Sequence, residues 1–419
     1  MEYGLIGHPL GHSYSKIIHN KIGNYDYSIN DITPEKLPLF FEKKDFKGIN
    51  VTIPYKQEVI RYLDEISEEA KEIGAVNTIL NKNGRLIGYN TDCHGLEALI
   101  KNAKISIKDK KVLILGTGGT SKTAHYVAKK MGAKTILKVS RKPSEDTISY
   151  QQAEKEHTDA QIIINTTPCG MFPSVHEKPI DISFFKNLTG IIDAIYNPLY
   201  SELVMDGKNK NIISTGGLFM LVAQAVFASS IFFESKPDNN LINKIYEDVF
   251  FEKNNIVLIG MPSCGKSTIG KKIAEQTGKQ FIDCDQKIIE KINMSISDFF
   301  KKNGEEAFRK IESETIKEIA LLNNSVISTG GGCILNKDNI DNLKQNGTIV
   351  FINRDLNLLL ATNDRPLSSS PEAIEKLYKT RLPLYKAYCE HEINGNSSIN
   401  EVTALILAAI NYKTSFNSK

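Results

Sequence analysis

The stretch NIVLIGMPSCGKSTIGKKIA, Asn255–Ala274, decides the fold of the C-terminal part of the chain. An apolar run ends at Gly260, and Gly265, Lys266 and Ser267 then open a helical pattern at the GxxxxGK[ST] spacing. Strand, glycine loop and helix in that order make a phosphate loop. The backbone around Ser263, Cys264, Gly265 and Thr268 cradles phosphates, Lys266 reaches the β- and γ-phosphates, and the Ser267 hydroxyl ligates Mg²⁺. ATP and Mg²⁺ are therefore expected, on a P-loop α/β domain with a central parallel sheet over residues 254–419. Cys264 reads as a small side chain that the loop tolerates, or as a thiol that nearby positive charge makes redox-sensitive.

Further toward the N-terminus a second glycine loop follows a strand pattern, KVLILGTGGTSKTAHYVAKKMGA, Lys111–Ala133. Gly116, Gly118, Gly119 and Thr120 would let a pyrophosphate approach the start of a helix, although Ser121 stands where the dinucleotide fingerprint has its third glycine. The plain alternative is a tight turn. The next strand pattern ends at Ser140-Arg141-Lys142, about where an NAD enzyme places an acidic residue on the ribose hydroxyls. Two cations there suit a 2′-phosphate, so NADPH is expected rather than NADH, against the alternative of a solvated basic loop end. Residues 102–214 thus read as a Rossmann-like NADP-binding domain. Residues 1–101 and 215–250 read as an α/β substrate-binding domain.

Length and composition fit a globular chain of more than one domain rather than a disordered or collagen-like one. Of 419 residues, 41% are hydrophobic and 24% charged, and the formal charge of +3 is too small for a nucleic-acid or membrane-surface footprint. Small-molecule partners are expected, with no nucleic acid and no membrane. The apolar stretch Leu218–Phe233 contains Gln224 and two serines and reads as a buried helix. Six scattered cysteines without a CxxC pair suit a reducing cytoplasm, and the N-terminal MEYGLIGH has no signal-peptide pattern. Lys and Arg together number 52, yet only seven are Arg: Arg61, Arg85, Arg141, Arg309, Arg354, Arg365 and Arg381. Such scarcity suggests that Arg is kept where its planar fork matters.

Short polar motifs crowd the first hundred residues: HPLGHSYSKIIHN (His8–Asn20), NVTIPYK (Asn50–Lys56), GAVNT (Gly74–Thr78) and GYNTD (Gly88–Asp92). NTTPCGM (Asn165–Met171), DAIYNPLYSEL (Asp193–Leu203) and GGLFMLVAQA (Gly216–Ala225) follow in order. Together they resemble the shikimate dehydrogenase family up to about residue 230. The resemblance implies that Ser13 and Ser15 hold the shikimate carboxylate, and that Thr52, Asn77, Tyr196 and Gln224 contact its hydroxyls or carboxylate. It implies Lys56 and Asp92 as the catalytic pair, and Gly217 and Met220 at the nicotinamide end. A lysine positioned by a carboxylate can protonate the alkoxide that hydride transfer leaves, although Lys–Asp pairs also form ordinary surface bridges. His8, His12 and His19 read as hydrogen-bonded residues rather than metal ligands, since no Cys or acidic partner stands at metal spacing. Lys16, the SRK strand end and Lys122 depart from the family pattern.

After the phosphate loop come FIDCD (Phe281–Asp285), FRKIE (Phe308–Glu312), STGGG (Ser328–Gly332), DRPL (Asp364–Leu367) and RLPLY (Arg381–Tyr385). This series resembles shikimate kinase. By that resemblance Asp283 helps to hold Mg²⁺ through water and Asp285 orients or deprotonates the attacking hydroxyl. Arg309 and Arg381 clamp the shikimate carboxylate, Gly330, Gly331 and Gly332 let the backbone approach the ring, and Arg365 stabilises the transferring phosphoryl. Where the family commonly has an Arg before the lid, this chain has Ala361, so weaker ATP binding is expected, with tightening in an Ala361→Arg variant.

The reading is a bifunctional enzyme: NADPH reduces 3-dehydroshikimate to shikimate, and ATP then phosphorylates shikimate to shikimate 3-phosphate, in chorismate and aromatic amino acid biosynthesis. The alternative is a quinate/shikimate-type NAD(P) dehydrogenase with a non-catalytic or differently specific P-loop module. Arg61, Arg85 and Arg354 are left as surface residues. No motif specifies an oligomeric state or a channel between the sites.

Overall fold

The computed structural model describes residues 1–10, 14–359 and 370–412. The chain divides into two compact units, Met1–Phe250 and Phe251–Lys419. Ser13, Arg365 and Ala361 lie outside the described residues.

The first unit is built on two six-stranded sheets. One is mixed and runs, in spatial order, Tyr27–Asp31, Tyr3–Gly7, Gly48–Val51, Thr78–Lys82, Arg85–Tyr89 and Glu65–Ile66. Its strands Tyr3–Gly7 and Gly48–Val51 are buried along their whole length, as strands covered on both faces must be. The other runs Ile213–Thr215, Gly190–Asp193, Ile162–Asn165, Lys111–Leu115, Thr135–Val139 and Thr147–Ile148, and every pairing is parallel. In chain order this is the doubly wound 3-2-1-4-5-6 arrangement with its switch point beside Lys111–Leu115, where nucleotides bind across the carboxyl ends of the strands.

Two helices tie the first sheet to its site. Thr91–Asn102 begins at Asn90, whose side chain accepts from Cys93 N and whose amide donates to Ala75 O. A cap of this kind is worth about 1 kcal/mol, and it fixes Asp92 in the first turn. Leu218–Phe232 is apolar on nearly every face and correspondingly buried, including Gln224. The helices cross tightly because residue 95 is glycine: a Cβ there would lie 2.7 Å from Met220 O and 2.9 Å from Gln224 Cβ. Among the described residues no helix is long and apolar enough to cross a membrane.

The second unit has one all-parallel sheet in the order Gln280–Asp283, Ser325–Ser328, Asn255–Ile259, Gly347–Asn353 and His391–Asn394. The strand Asn255–Ile259 is fully buried at the centre, so the loop that follows it leaves from the middle of the sheet edge. Helix Lys266–Thr277 starts directly from that loop, with Gly265 in the left-handed region at φ +95°.

Candidate active sites

In the first unit the two sheets meet at Lys56. Its Nζ donates to Asp92 Oδ2 at 2.7 Å, and the two side chains are only 16% and 10% exposed. The aliphatic stem of the same lysine passes 3.7 Å from where a Cβ on Gly119 would stand. A lysine from the turn after strand Gly48–Val51 thus lies beside Gly119, where the helix that follows the glycine loop begins. A shielded ammonium held by a carboxylate at such a junction can hand a proton to a reacting oxygen there.

Around this pair lie several of the residues expected to bind substrate. Asn77 accepts from Thr91 N at 2.7 Å and donates to Thr91 Oγ1 at 3.0 Å. Gln224 Oε1 stands 3.5 Å from both Asn77 Nδ2 and Thr91 Oγ1, while its amide donates to Leu221 O. Ser15 is buried at the start of helix Ser15–Ile22, and Thr52 N bonds to Ile6 O at the end of its strand. Tyr196 packs its ring 5.2 Å from that of Tyr14, and burial pushes its phenol up. Met220 is buried in its helix just after Gly217, whose N–H bonds to Ile195 O at 2.7 Å. His8 Nδ1 meets Asp31 and His19 Nδ1 meets Tyr25, so both histidines are engaged as hydrogen-bonding residues.

The glycine loop fits a dinucleotide. Nothing lies within 4 Å of a Cβ built on Gly118, which leaves the face of the loop open. The departure at Ser121 has a local reason: its hydroxyl, buried, turns back to Gly116 O at 2.7 Å and so braces the loop that a glycine would leave slack. One strand over, Ser140 Oγ accepts from Lys142 N and donates to Lys142 O, which folds the strand end into a tight turn with Arg141 and Lys142 exposed. Those two cations and the loop top adjacent parallel strands, and together they could hold the phosphates of NADPH.

A buried network behind this mouth is not announced by any single motif. Asp193 is wholly buried, and its Oδ1 accepts from Asn165 Nδ2 and Ile195 N at 3.0 Å each, while Oδ2 accepts from Ser201 Oγ at 2.6 Å. Asn165 in turn accepts from Thr167 N and Oγ1. Burial pushes the Asp193 carboxyl up to about 6, and these donors offset only part of the shift. A raised carboxyl contributes stability that is present at low pH and is lost as pH rises from about 4 to about 6. The wild-type first unit should therefore lose about 3 kcal/mol relative to an Asp193→Asn variant across that window. Urea midpoints against pH measure this, and parallel curves for the two proteins would refute it.

In the second unit a cavity of about 1160 Å³ gathers most of the expected residues: Ser263, Gly265, Lys266, Ser267, Thr268, Asp283, Asp285, Arg309, Gly330, Gly331, Gly332 and Arg381 all line it. Cys264 is fully buried beneath the loop, which leaves its thiol out of reach of solvent oxidants. Lys266 Nζ donates to Gly260 O and Met261 O at 2.9 and 3.0 Å. The Ser267 hydroxyl donates to Asp283 Oδ2 at 2.6 Å and lies 3.2 Å from Ser328 Oγ. Hydroxyl and carboxylate oxygens beside a phosphate loop are the hard donors that Mg²⁺ takes when phosphates and waters complete its shell, so Ser267 and Asp283 could hold it.

Opposite the loop, Arg381 is almost fully buried and donates to Gly331 O, as does the Tyr385 hydroxyl one turn along the helix. Arg309 bonds to Glu312 and Glu305. Burial pulls its guanidinium down, but the carboxylates outweigh that and the net shift is upward. A side chain at position 332 would displace the guanidinium, because a Cβ there would lie 2.4 Å from Arg309 Nη1. Glu312 and Tyr385 stand inside the quoted motifs, but their positioning contacts emerge only in three dimensions. Arg61 and Arg85 form surface ion pairs with Glu58 and Glu65. Arg354 is half-buried, and its Nε is covered without a hydrogen-bond partner among the described residues.

Over 259 residues the chain is 40% identical to the shikimate dehydrogenase (NADP(+)) of Clostridium beijerinckii, covering 58% of this chain and 96% of that protein. The chain belongs to the shikimate dehydrogenase family. The family model for the shikimate dehydrogenase substrate binding domain matches residues 5–79, and that for shikimate kinase matches residues 262–411. Shikimate dehydrogenase 1 of Peptoclostridium difficile aligns with a TM-score of 0.55 at 36% identity, covering 59% of this chain and 98% of that one. A chorismate mutase/shikimate 5-dehydrogenase fusion protein of Clostridium acetobutylicum aligns with a TM-score of 0.56 at 33% identity, over 59% of this chain and 96% of that one. The chain is thus a dehydrogenase of this family fused to a shikimate kinase domain.

Proposed function

We propose that the chain performs two consecutive reactions, reduction of 3-dehydroshikimate to shikimate in the first unit and phosphorylation of shikimate to shikimate 3-phosphate in the second. The observation that carries the pairing is a cavity of the second unit that joins a phosphate loop to Asp285 and two arginines suited to a carboxylate. Such a cavity takes a nucleotide at one end and a hydroxylated acid at the other. The family of the first unit is named for that same acid.

In the first unit NADPH, when bound, supplies the hydride for the ring ketone. Lys56 gives its proton to the oxygen that becomes the alkoxide, and Asp92 holds the ammonium in place and balances its charge. Asn77, Thr52, Tyr196, Gln224, Ser13 and Ser15 orient the ring. Arg141 and Lys142 favour the 2′-phosphorylated cofactor. In the second unit Arg309 and Arg381 fix the carboxylate of shikimate, so that one ring hydroxyl faces the phosphate loop with Asp285 as acceptor of its proton. Lys266 and Arg365 stabilise the negative charge of the phosphoryl in flight, and Ser267 and Asp283 would hold Mg²⁺, which would supply further charge neutralisation.

One assay tests both halves. With 3-dehydroshikimate, NADPH, ATP and Mg²⁺ present, NADPH absorbance should fall and ADP should appear, in equal amounts at completion. NADPH oxidation without ADP, with added shikimate also leaving ATP intact, would refute the kinase half. Nucleotide titration of Ala361→Arg should show tighter ATP binding than the parent, and unchanged affinity would count against an adenine-side deficit at that position.

A further inference from the structure

On helix Ile296–Ala320, all three guanidinium nitrogens of Arg309 are committed to carboxylates of its own helix. Nη1 donates to Glu312 Oε2 at 2.8 Å, while Nε and Nη2 both donate to Glu305 Oε1, at 3.2 and 2.9 Å. The two partners differ sharply. The Glu312 side chain is 2% exposed, whereas that of Glu305 is 48% exposed. Burial raises the Glu312 carboxyl against the pull of Arg309, as expected of a fixed interior partner.

The geometry leaves a ligand one way to grip Arg309. The end-on fork is half used by Glu312, and residue 332 borders the same end, since a Cβ there would lie 2.4 Å from Nη1 and 2.5 Å from Nη2. The side fork, Nε with Nη2, is what a carboxylate takes in parallel two-oxygen contact. Here that fork closes on one oxygen of an exposed side chain, which is a weak and salt-screened arrangement. Glu305 itself follows Gly304, whose φ of +80° interrupts the helix and whose Cβ position has nothing within 4 Å. Arg309 and Glu312 line the cavity.

We infer that Glu305 is a displaceable internal occupant of the seat that the substrate carboxylate takes on Arg309, and so a specificity-determining residue of the kinase. Binding is then an exchange of one carboxylate for another on the same fork, and the affinity registers only the difference between them. A ligand wins the exchange when it brings two oxygens to the fork and a second contact to Arg381. A lone small anion does not. The inference rests on the reading of Arg309 as the carboxylate clamp.

The test uses the full chain, saturating ATP and varied shikimate. Glu305→Gln and Glu305→Ala should each lower the KM for shikimate about two- to fivefold, the size set by an exposed ion pair, with the change confined to KM rather than kcat. Calorimetric titration with shikimate should tighten in parallel. An unchanged or raised KM in both variants would overturn the inference and make Glu305 a residue that orients Arg309. Arg309→Ala separates this from the underlying reading: it should raise KM at least tenfold, and if it does not, the clamp assignment itself fails.

Discussion

Replacing Lys266 with methionine should reduce ATP-dependent phosphorylation of shikimate by about 10²- to 10³-fold while NADPH oxidation continues at the parent rate. The expectation comes from where the ammonium sits. In the structure it caps the carbonyls of Gly260 and Met261, so it is held at the head of the loop by the loop's own backbone. Phosphate oxygens entering the loop meet a charge already in place. Methionine keeps most of the buried stem and removes the charge together with the two hydrogen bonds to the loop carbonyls, so survival of the fold is checked separately. Circular dichroism and an unaltered reductase rate report that survival, and ADP release reports the loss. Residual phosphorylation close to the parent rate would mean that the transferring phosphoryl is stabilised elsewhere.

Lys56→Ala should slow the reductase about 10²- to 10⁴-fold, the range that a positioned general acid supplies, and leave phosphorylation of added shikimate intact. Lys56 is largely shielded, so no solvent donor stands ready at the same point. The variant also strands the buried Asp92 without the cation it holds at 2.7 Å, so the fold of the variant must be checked beside its rate. The readout that distinguishes lost acid chemistry from lost structure is NADPH binding, which should be retained while kcat falls. A variant that keeps the parental kcat would move the proton donor to another group.

Much of both sites was legible because their chemistry demands particular residue types at fixed local spacing. A phosphate loop must place glycine, lysine and hydroxyl within a few residues, and Gly260, Gly265, Lys266 and Ser267 do so. Lys56 and Asp92 were readable only because each sits in its own short motif; nothing local says that they meet at 2.7 Å. What stayed hidden depends on neighbours remote in the chain. Asp193 looks like one acidic residue ending a strand until Asn165 and Ser201 are seen to converge on it. Glu305 reads as an exposed helical charge until Arg309 is seen to need the same fork. Ser121 weakened the fingerprint on paper, yet its hydroxyl makes the bond that keeps the loop in shape.

The tight crossing at Gly95 also bears on the order in which the protein is made. Asn77 emerges early, but Gln224, which completes its wall of the reductase pocket, is translated only after the whole parallel sheet up to Thr215. That pocket must wait, with part of its polar lining unmatched, until the NADP-binding strands have been synthesised. The kinase cavity, by contrast, draws its described lining from one later run of chain, Pro262–Arg381. Polypeptides truncated just after Thr215 would therefore hold every strand of both sheets yet lack Gln224 and the core residues of helices Leu218–Phe232 and Asn239–Lys253, and they should be more open to proteases than the full chain.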